Sequence, residues 1–154
     1  MQGFSISDVL VASHVDVPTS PSARWTSLNP VAVAGAVPRG TQLSLVWENY
    51  DFGQRNNSAE YSVVLTIVRD RSGAGRIAAR IVGLLADVAQ VTTQSDRVTL
   101  KFDRAQPYSA AFADQVDLAL GDTPIGVYSL TLEVTDKATG RKSTRASSFS
   151  IKDK

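Results

Sequence analysis

The sequence predicts an all-β fold of two packed layers, on three observations. Short runs of alternating apolar and polar residues recur along the chain, and Gly, Pro, Asn and Asp separate them, which is typical of half-buried strands and their turns. Strand and helix patterns do not alternate regularly, so a parallel α/β sheet is not indicated. The 154 residues are 43% hydrophobic and 20% charged, which suits a folded core. We therefore expect one domain over residues 1–154.

The first part of the chain predicts one strand followed by a proline-rich edge. Apolar residues recur over residues 4–12, with a change of phase near Asp8 that is typical of a β-bulge. Residues 14–40 hold four of the six prolines, and proline lacks the N–H donor that an interior strand needs. We expect this segment to wrap the outside of a sheet, with Val31 and Val33 in a short edge strand.

Alternation is sharpest in the middle of the chain. Leu43, Leu45 and Trp47 share one face of a predicted strand, and Trp47 is the expected core anchor. A turn over residues 51–59 leads to a second strong strand over residues 61–67. We expect these two strands to pair as a hairpin.

Residues 77–89 form the one segment that predicts a helix. Its apolar residues recur at helical spacing: Ile77, Ile81, Leu84, Leu85 and Val88. The rival interpretation is a strand through residues 81–85, but a high alanine content and the lack of aromatic residues favour the helix. A glycine-containing, charged connector over residues 69–76 precedes it.

The C-terminal part predicts further strands and the clearest hairpin. Alternation over residues 98–102 and 116–120 predicts two strands, and a turn at residues 136–140 joins the last two. Tyr128 lies in a segment that resembles a tyrosine corner, where a tyrosine hydroxyl ties a crossing loop to a strand. Seven or eight such strands predict an immunoglobulin-like two-layer β-sandwich with one short helix inserted near residues 77–89.

Composition restricts the partners and the compartment. Sixteen Lys and Arg against fifteen Asp and Glu leave a net charge of +1, which supplies no broad field for nucleic acid. No apolar run reaches the length of a transmembrane segment. The absence of cysteine suits a cytosolic protein as well as an exported bacterial one. Since residues 1–6 do not read as a signal peptide, we expect an excised or mature segment.

The order of the sequence features resembles the β-sandwich region of bacterial GWxTD-domain proteins. The segments that carry the resemblance are SDVLVA at 7–12, NP at 29–30, Gly40, LSLVWENY at 43–50, YSV at 61–63, GVYSLTLEVTD at 126–136, TGR at 139–141 and FSI at 149–151. The naming motif itself is absent, and the run from Arg24 to Ser27 departs from it. The resemblance implies a bacterial, exported module without known chemistry, at the periplasm or the cell surface, and carries over no functional residue.

Residues that could support catalysis are few. His14 is the sole histidine, so a Ser-His-Asp mechanism would need it, with Asp16 as the nearest acid, but no nucleophile-elbow motif is present. Glu48 and Glu133 could serve as paired carboxylates for glycoside hydrolysis, although each is expected to point outward from its strand. We expect no catalytic residue.

Cofactor and metal sites are not indicated either. A zinc site would need more His or Cys ligands than the chain contains. Calcium could use Asp51, Asp70 and Asp136 at converging strand ends, but solvated turn carboxylates are the simpler interpretation. We expect neither a cofactor nor a metal.

Two aromatic residues lie outside the strongest strands and are candidate contacts. Trp25 and Tyr108 follow Pro21 and Pro107, and both are expected to present exposed rings to a protein partner or ligand. The leading expectation is a non-catalytic protein-interaction or scaffold module of a bacterial extracytoplasmic protein or assembly. The alternative is a carbohydrate- or small-ligand-binding β-sandwich. Self-assembly through a sheet edge beside residues 14–40 is a further hypothesis.

Overall fold

The structure is a computed structural model that describes residues 4–16, 23–33, 35–71, 75–82, 89–94 and 96–153. Within these residues the chain forms twelve strands and one 3-10 turn, Trp25–Leu28. The strands are β1 Ser5–Ile6, β2 Leu10–His14, β3 Val31–Ala32, β4 Ala36–Pro38, β5 Gln42–Tyr50, β6 Ser58–Arg69, β7 Arg80–Val82, β8 Ala89–Gln94, β9 Arg97–Pro107, β10 Ala111–Ala119, β11 Gly126–Asp136 and β12 Lys142–Lys152. No helix among these residues has the length and apolar character to cross a membrane.

The strands form two sheets that pack face to face. Sheet A has the order β3-β2-β5-β10-β7, with β1 also paired to β5. Sheet B has the order β4-β12-β11-β6-β9-β8. All pairs are antiparallel except β4 with β12. The predicted all-β, two-layer sandwich is confirmed.

The core lies between the two sheets and is built from the inward-facing half of each strand. Trp47, Tyr61 and Tyr128 are each at most 1% exposed, as the alternation of their strands predicts. Phe52 stacks on Phe4 and on Tyr61, with ring centroids 4.5 and 4.7 Å apart. Burial of such large rings supplies much of the stabilising free energy of a sandwich.

The N-terminal predictions hold with adjustments. The expected strand over residues 4–12 is two short strands, β1 and β2, and the break falls where the phase changes near Asp8. The proline-rich segment supplies an edge strand to each sheet, β3 to sheet A and β4 to sheet B. Val31 lies in β3, and the N–H of Val33 donates to Val11 O at 3.0 Å.

The predicted hairpin between the strands around Trp47 and Tyr61 is wrong. β5 lies in sheet A between β2 and β10, whereas β6 lies in sheet B between β11 and β9. The connecting loop buries Phe52, which is 3% exposed and lies against rings of both layers, Phe112 of β10 and Tyr61 of β6. The chain therefore crosses from one layer to the other instead of turning back within a sheet.

The predicted helix over residues 77–89 is wrong wherever the structure describes it. Arg80–Val82 is strand β7, paired with the end of β10, and Ala89 begins β8. Residues 83–88 lie outside the described residues. Ile77 and Ala79 are buried and Ile81 packs against the core, so the true period is two. Alanine at position 79 hid this pattern, because it is itself a strong helix former.

The closing hairpin is confirmed. β11 pairs with β12 from Gly126 with Ile151 to Thr135 with Lys142. The Tyr128 hydroxyl donates to Pro124 O at 2.7 Å, four residues upstream, which is the contact of a tyrosine corner. This bond ties the loop before β11 to the core.

Candidate interaction site

A short segment over residues 23–28, here called the strap, crosses the outer face of sheet A. At one end Ala113 N donates to Ala23 O at 2.7 Å, and at the other Asp16 N donates to Leu28 O at 2.8 Å. Leu28 is 1% exposed and anchors the strap. Because the strap covers β5, the outward residues Val46 and Glu48 are buried too.

The Glu48 carboxylate accepts four hydrogen bonds, three of which come from the strap and hold it in place. Arg24 forms a bidentate pair with it, Nε to Oε2 at 2.5 Å and Nη2 to Oε1 at 3.0 Å. The Tyr50 hydroxyl donates to Oε1 at 2.9 Å, and the Trp25 N–H donates to Oε2 at 3.2 Å. The hydrogen bond from Arg24 lowers the pKa of Glu48 more than burial raises it, and the same bond raises the pKa of Arg24. Bidentate charged pairs of this kind fix geometry strongly.

The hydrogen bonds to the Glu48 carboxylate, here called the clamp, hold the backbone of Trp25. Its backbone N–H is bound by the buried Glu48 carboxylate, whereas the residue as a whole is 49% exposed. The Arg24 side chain beside it is 51% exposed. The expected exposure of Trp25 is thus observed, on a turn whose backbone is fixed by the buried Glu48.

Tyr108 lies apart from this arrangement. It follows β9, its N–H donates to Asn57 O at 2.9 Å, and it is only half-buried. Neither Tyr108 nor Trp25 contacts another aromatic ring among the described residues. The structure does not join the two candidate rings in one aromatic site, and their role in binding stays a prediction.

His14 and Asp16 do come together at the end of β2. His14 Nε2 lies 3.0 Å from Asp16 Oδ1, and Asn29 Nδ2 donates to Asp16 Oδ2 at 2.9 Å. The bond from Asn29, followed by that from His14, lowers the pKa of Asp16. The neighbouring Ser13 hydroxyl donates to Val31 O at 3.3 Å, not to the imidazole. The group ties β2 to the end of the strap.

Glu48 and Glu133 lie on opposite sides of the molecule. Glu48 is on the outer face of sheet A, under the strap. Glu133 is on the outer face of sheet B, where its carboxylate lies 3.7 Å from Lys142 Nζ. Two carboxylates separated by the whole sandwich cannot flank one glycosidic bond, so this pairing is excluded.

Asp51, Asp70 and Asp136, the possible calcium ligands, do not converge. Asp136 is fully buried and accepts bonds from Gly53 N and Thr139 Oγ1, both at 2.8 Å, within its own end of the sandwich. Asp70 follows β6 at the other end and accepts a bond from Ser129 Oγ. Among the described ranges, no group of three His, Cys, Asp or Glu residues is placed to hold a metal ion.

A buried polar cluster that the strand patterns did not predict lies between the sheets. The Asp114 side chain is 1% exposed, faces inward from β10 and forms an ion pair with Arg104 of β9. The Tyr61 hydroxyl donates to Asp114 Oδ2 at 2.5 Å and accepts from Gln106 Nε2 at 3.2 Å, and burial raises the pKa of Tyr61. In the sequence, the burial of Asp114 is indicated by its position two residues from both Phe112 and Val116, which places all three on the inward face of β10.

The comparisons with known proteins support the fold and nothing beyond it. No family model matches the chain, and no curated protein matches it. A family 123 glycoside hydrolase from Clostridium perfringens aligns with 99% of the chain at a TM-score of 0.51 and 8% identity, and the chain spans 27% of that protein. A cohesin module of a Clostridium perfringens family 33 glycoside hydrolase aligns with 95% of the chain, covering 99% of the module, at a TM-score of 0.42 and 10% identity.

A conjugative transposon lipoprotein from Bacteroides eggerthii gives a TM-score of 0.39 at 13% identity, over 97% of this chain and 98% of that protein. The solved structures similar to this chain thus include cohesin and lipoprotein modules, as well as part of a hydrolase. At these identities a shared sandwich does not transfer a function. The resemblance to GWxTD-domain proteins stays a prediction.

Proposed function

We propose that this chain is a non-catalytic protein-interaction module that docks its partner around Trp25. The observation that carries the proposal is a tryptophan with half of its surface exposed, on a turn whose backbone is held by a buried carboxylate. A half-exposed indole on a fixed turn is available for contact with another molecule, and tryptophan is enriched among the residues that dominate binding at interfaces.

The clamp suits such a role energetically. Binding costs conformational entropy for every side chain and loop that becomes ordered. Because Glu48 already fixes the backbone of Trp25, little of that cost remains for the turn. Trp, Tyr and Arg are the residues that dominate binding energy at interfaces, and Trp25, Tyr50 and Arg24 lie together here.

The setting we propose is a bacterial extracytoplasmic protein or assembly. Support comes from the sequence resemblance described above, with which the absence of cysteine is compatible. Non-catalytic action is part of the same proposal. A specific turnover that disappears in His14→Ala would contradict it, since His14 is the sole histidine and lies on an acidic partner.

The test is a pull-down from native extract with three baits, followed by mass spectrometry. Trp25→Ala removes the exposed ring, and Val91→Ala removes an apolar side chain of similar exposure, 53%, on β8. We expect the wild type and Val91→Ala to retain the same protein. We expect Trp25→Ala to retain at least about tenfold less of it, which corresponds to a loss of about 1.4 kcal/mol in binding free energy. Equal retention by all three baits would show that Trp25 does not contribute to the interface.

Carbohydrate binding is the second candidate, because an exposed indole is also a platform for a sugar ring. Trp47 is fully buried, so a ligand-dependent change in the exposed tryptophan emission reports on Trp25. We would titrate glycans selected on an array and follow this emission. Saturable binding that Trp25→Ala abolishes would favour this candidate over a protein partner.

A further inference from the structure

The edge of strand β12 over residues 142–149, here called the free edge, hydrogen bonds to no described strand, although β1 and β2 of sheet A lie close to β12. One side of β12 pairs with β11 along its length, and the other pairs only with β4, from Ser150 to Lys152. Among the described residues, no other strand hydrogen bonds to that second side. Unpaired backbone donors and acceptors in a row form a template for an added strand.

The direction of the free groups follows from the register. Lys152 O accepts a bond from Arg39 N beyond the edge, so even-numbered residues of β12 point their backbone groups outward. The free groups therefore belong to Lys142, Thr144, Ala146 and Ser148. Thr144 O is covered only by the neighbouring Arg145 guanidinium, at 2.9 Å. A strand that pairs with β12 would displace this local contact.

Strand β12 itself carries only positive charge. β12 contains Lys142, Arg145 and Lys152 and no acidic residue. Arg145 Nε lies 3.6 Å from Asp8, whose side chain is 100% exposed, and Lys142 Nζ lies 3.7 Å from Glu133. Such surface pairs are weak and exchange readily. Lys142 and Arg145 point to opposite faces of β12, so a strand that carries carboxylates on both faces can replace both pairs.

A second copy of the chain is disfavoured at this edge in the pairing that uses its full length. An antiparallel pairing that uses its full length sets residues 142 and 144 against residues 148 and 146 of the other copy. Arg145 then lies directly opposite Arg145 of that copy. Like charges at opposed positions destabilise a sheet.

We propose that the free edge of β12 binds an extended acidic segment of a partner protein as an additional strand of sheet B. Backbone bonds to Thr144, Ala146 and Ser148 supply the affinity, and carboxylates beside Lys142 and Arg145 supply the selectivity. This inference deepens the proposed interaction function at a surface separate from Trp25.

The probe is a short synthetic peptide in which pairs of valine alternate with pairs of aspartate, so that carboxylates lie on both faces of the strand, matched with one that carries lysine in place of aspartate. We expect the aspartate peptide to bind saturably and about tenfold or more tightly than the lysine peptide, and to weaken as salt rises. Amide exchange measured by NMR should slow at Thr144, Ala146 and Ser148 on binding. Equal affinity of the two peptides, or protection elsewhere, would overturn the proposal.

Variants separate this edge from the rest of the molecule. Ala146→Pro removes an outward N–H that makes no bond to β11 and should abolish binding, whereas Ala146→Val should retain it. Arg145→Ala should weaken binding of the aspartate peptide and leave binding of the lysine peptide unchanged. The amide measurement on the wild type decides the case if the proline variant unfolds. A wild-type dimer in sedimentation that Ala146→Val retains and Ala146→Pro dissolves would assign the edge to a second copy instead.

Trp25→Ala distinguishes the two proposals. Peptide binding that survives this substitution belongs to β12. If the peptide fails to bind while native capture still depends on Trp25, the β12 inference is wrong and the proposed function stands.

Discussion

Asp114 shows how one residue can tie two sheets together. Its carboxylate receives Arg104 and the Tyr61 hydroxyl, both from sheet B, whereas Asp114 itself belongs to sheet A. A buried charge is tolerated when its partners satisfy it, and removal of one partner leaves the other uncompensated. The cluster is therefore structural, and its members should be coupled.

Asp114→Ala is expected to lower the free energy of unfolding by about 3–5 kcal/mol, because it leaves Arg104 buried without its charge partner. Urea denaturation followed by circular dichroism measures the change. Asp122→Ala is the matched control, since Asp122 is exposed and should change stability by less than about 0.5 kcal/mol. An equally small change for both would show that the ion pair contributes little.

Glu48 makes the strap sensitive to acid. Its pKa is lowered in the folded protein from a usual value of 4.5, with the hydrogen bond from Arg24 as the largest cause. A lowered pKa contributes stability that is present above the unfolded value and is lost as pH falls through the folded value. Emission of the exposed Trp25 should therefore change below pH 4.5, before global unfolding.

The matched variant is Glu48→Gln, which cannot ionise and should remove this transition from the pH titration. A transition of unchanged midpoint in Glu48→Gln would assign it to another carboxyl group. Circular dichroism recorded in parallel separates movement of the strap from loss of the sheets.

At the scale of elements, the crossing between β5 and β6 decides the layering. Gly53 lies against the turn between β11 and β12, and its N–H donates to Asp136 Oδ2 at 2.8 Å. A Cβ at this position would lie 2.8 Å from Ala138 Cβ and 3.0 Å from Thr139 Cγ2. The crossing loop and the turn are therefore packed without spare room.

Gly53→Ala is expected to destabilise the protein by about 1–3 kcal/mol through this overpacking. Thermal unfolding compares it with Gln54→Ala, an exposed neighbour in the same loop that should behave like the wild type. An unchanged melting temperature for Gly53→Ala would show that the turn can move away at no cost.

At the scale of the whole molecule, the two outer faces differ. The strap covers part of sheet A and buries the outward side of β5. Sheet B instead presents serine and threonine outward, including a row across four strands formed by Thr92, Thr99, Thr66 and Thr131. The candidate contacts therefore lie at the strap and at the β12 edge, not on a broad apolar face.

The sequence by itself determined the all-β class, most strands, the edge role of the proline-rich segment, the C-terminal hairpin and the core positions of Trp47, Tyr61 and Tyr128. These follow from period-two alternation and from proline chemistry, which are local properties. The exposure of Trp25 was also predicted, from its place outside the strong strands.

Only the tertiary structure decided which strands share a sheet, that Ile81 lies in a strand, and that Glu48 clamps the strap. It also separated Glu48 from Glu133 and joined Asp114 to Arg104 across the core. These outcomes depend on partners distant in sequence, because a strand pattern specifies which face is buried but not the neighbour that covers it.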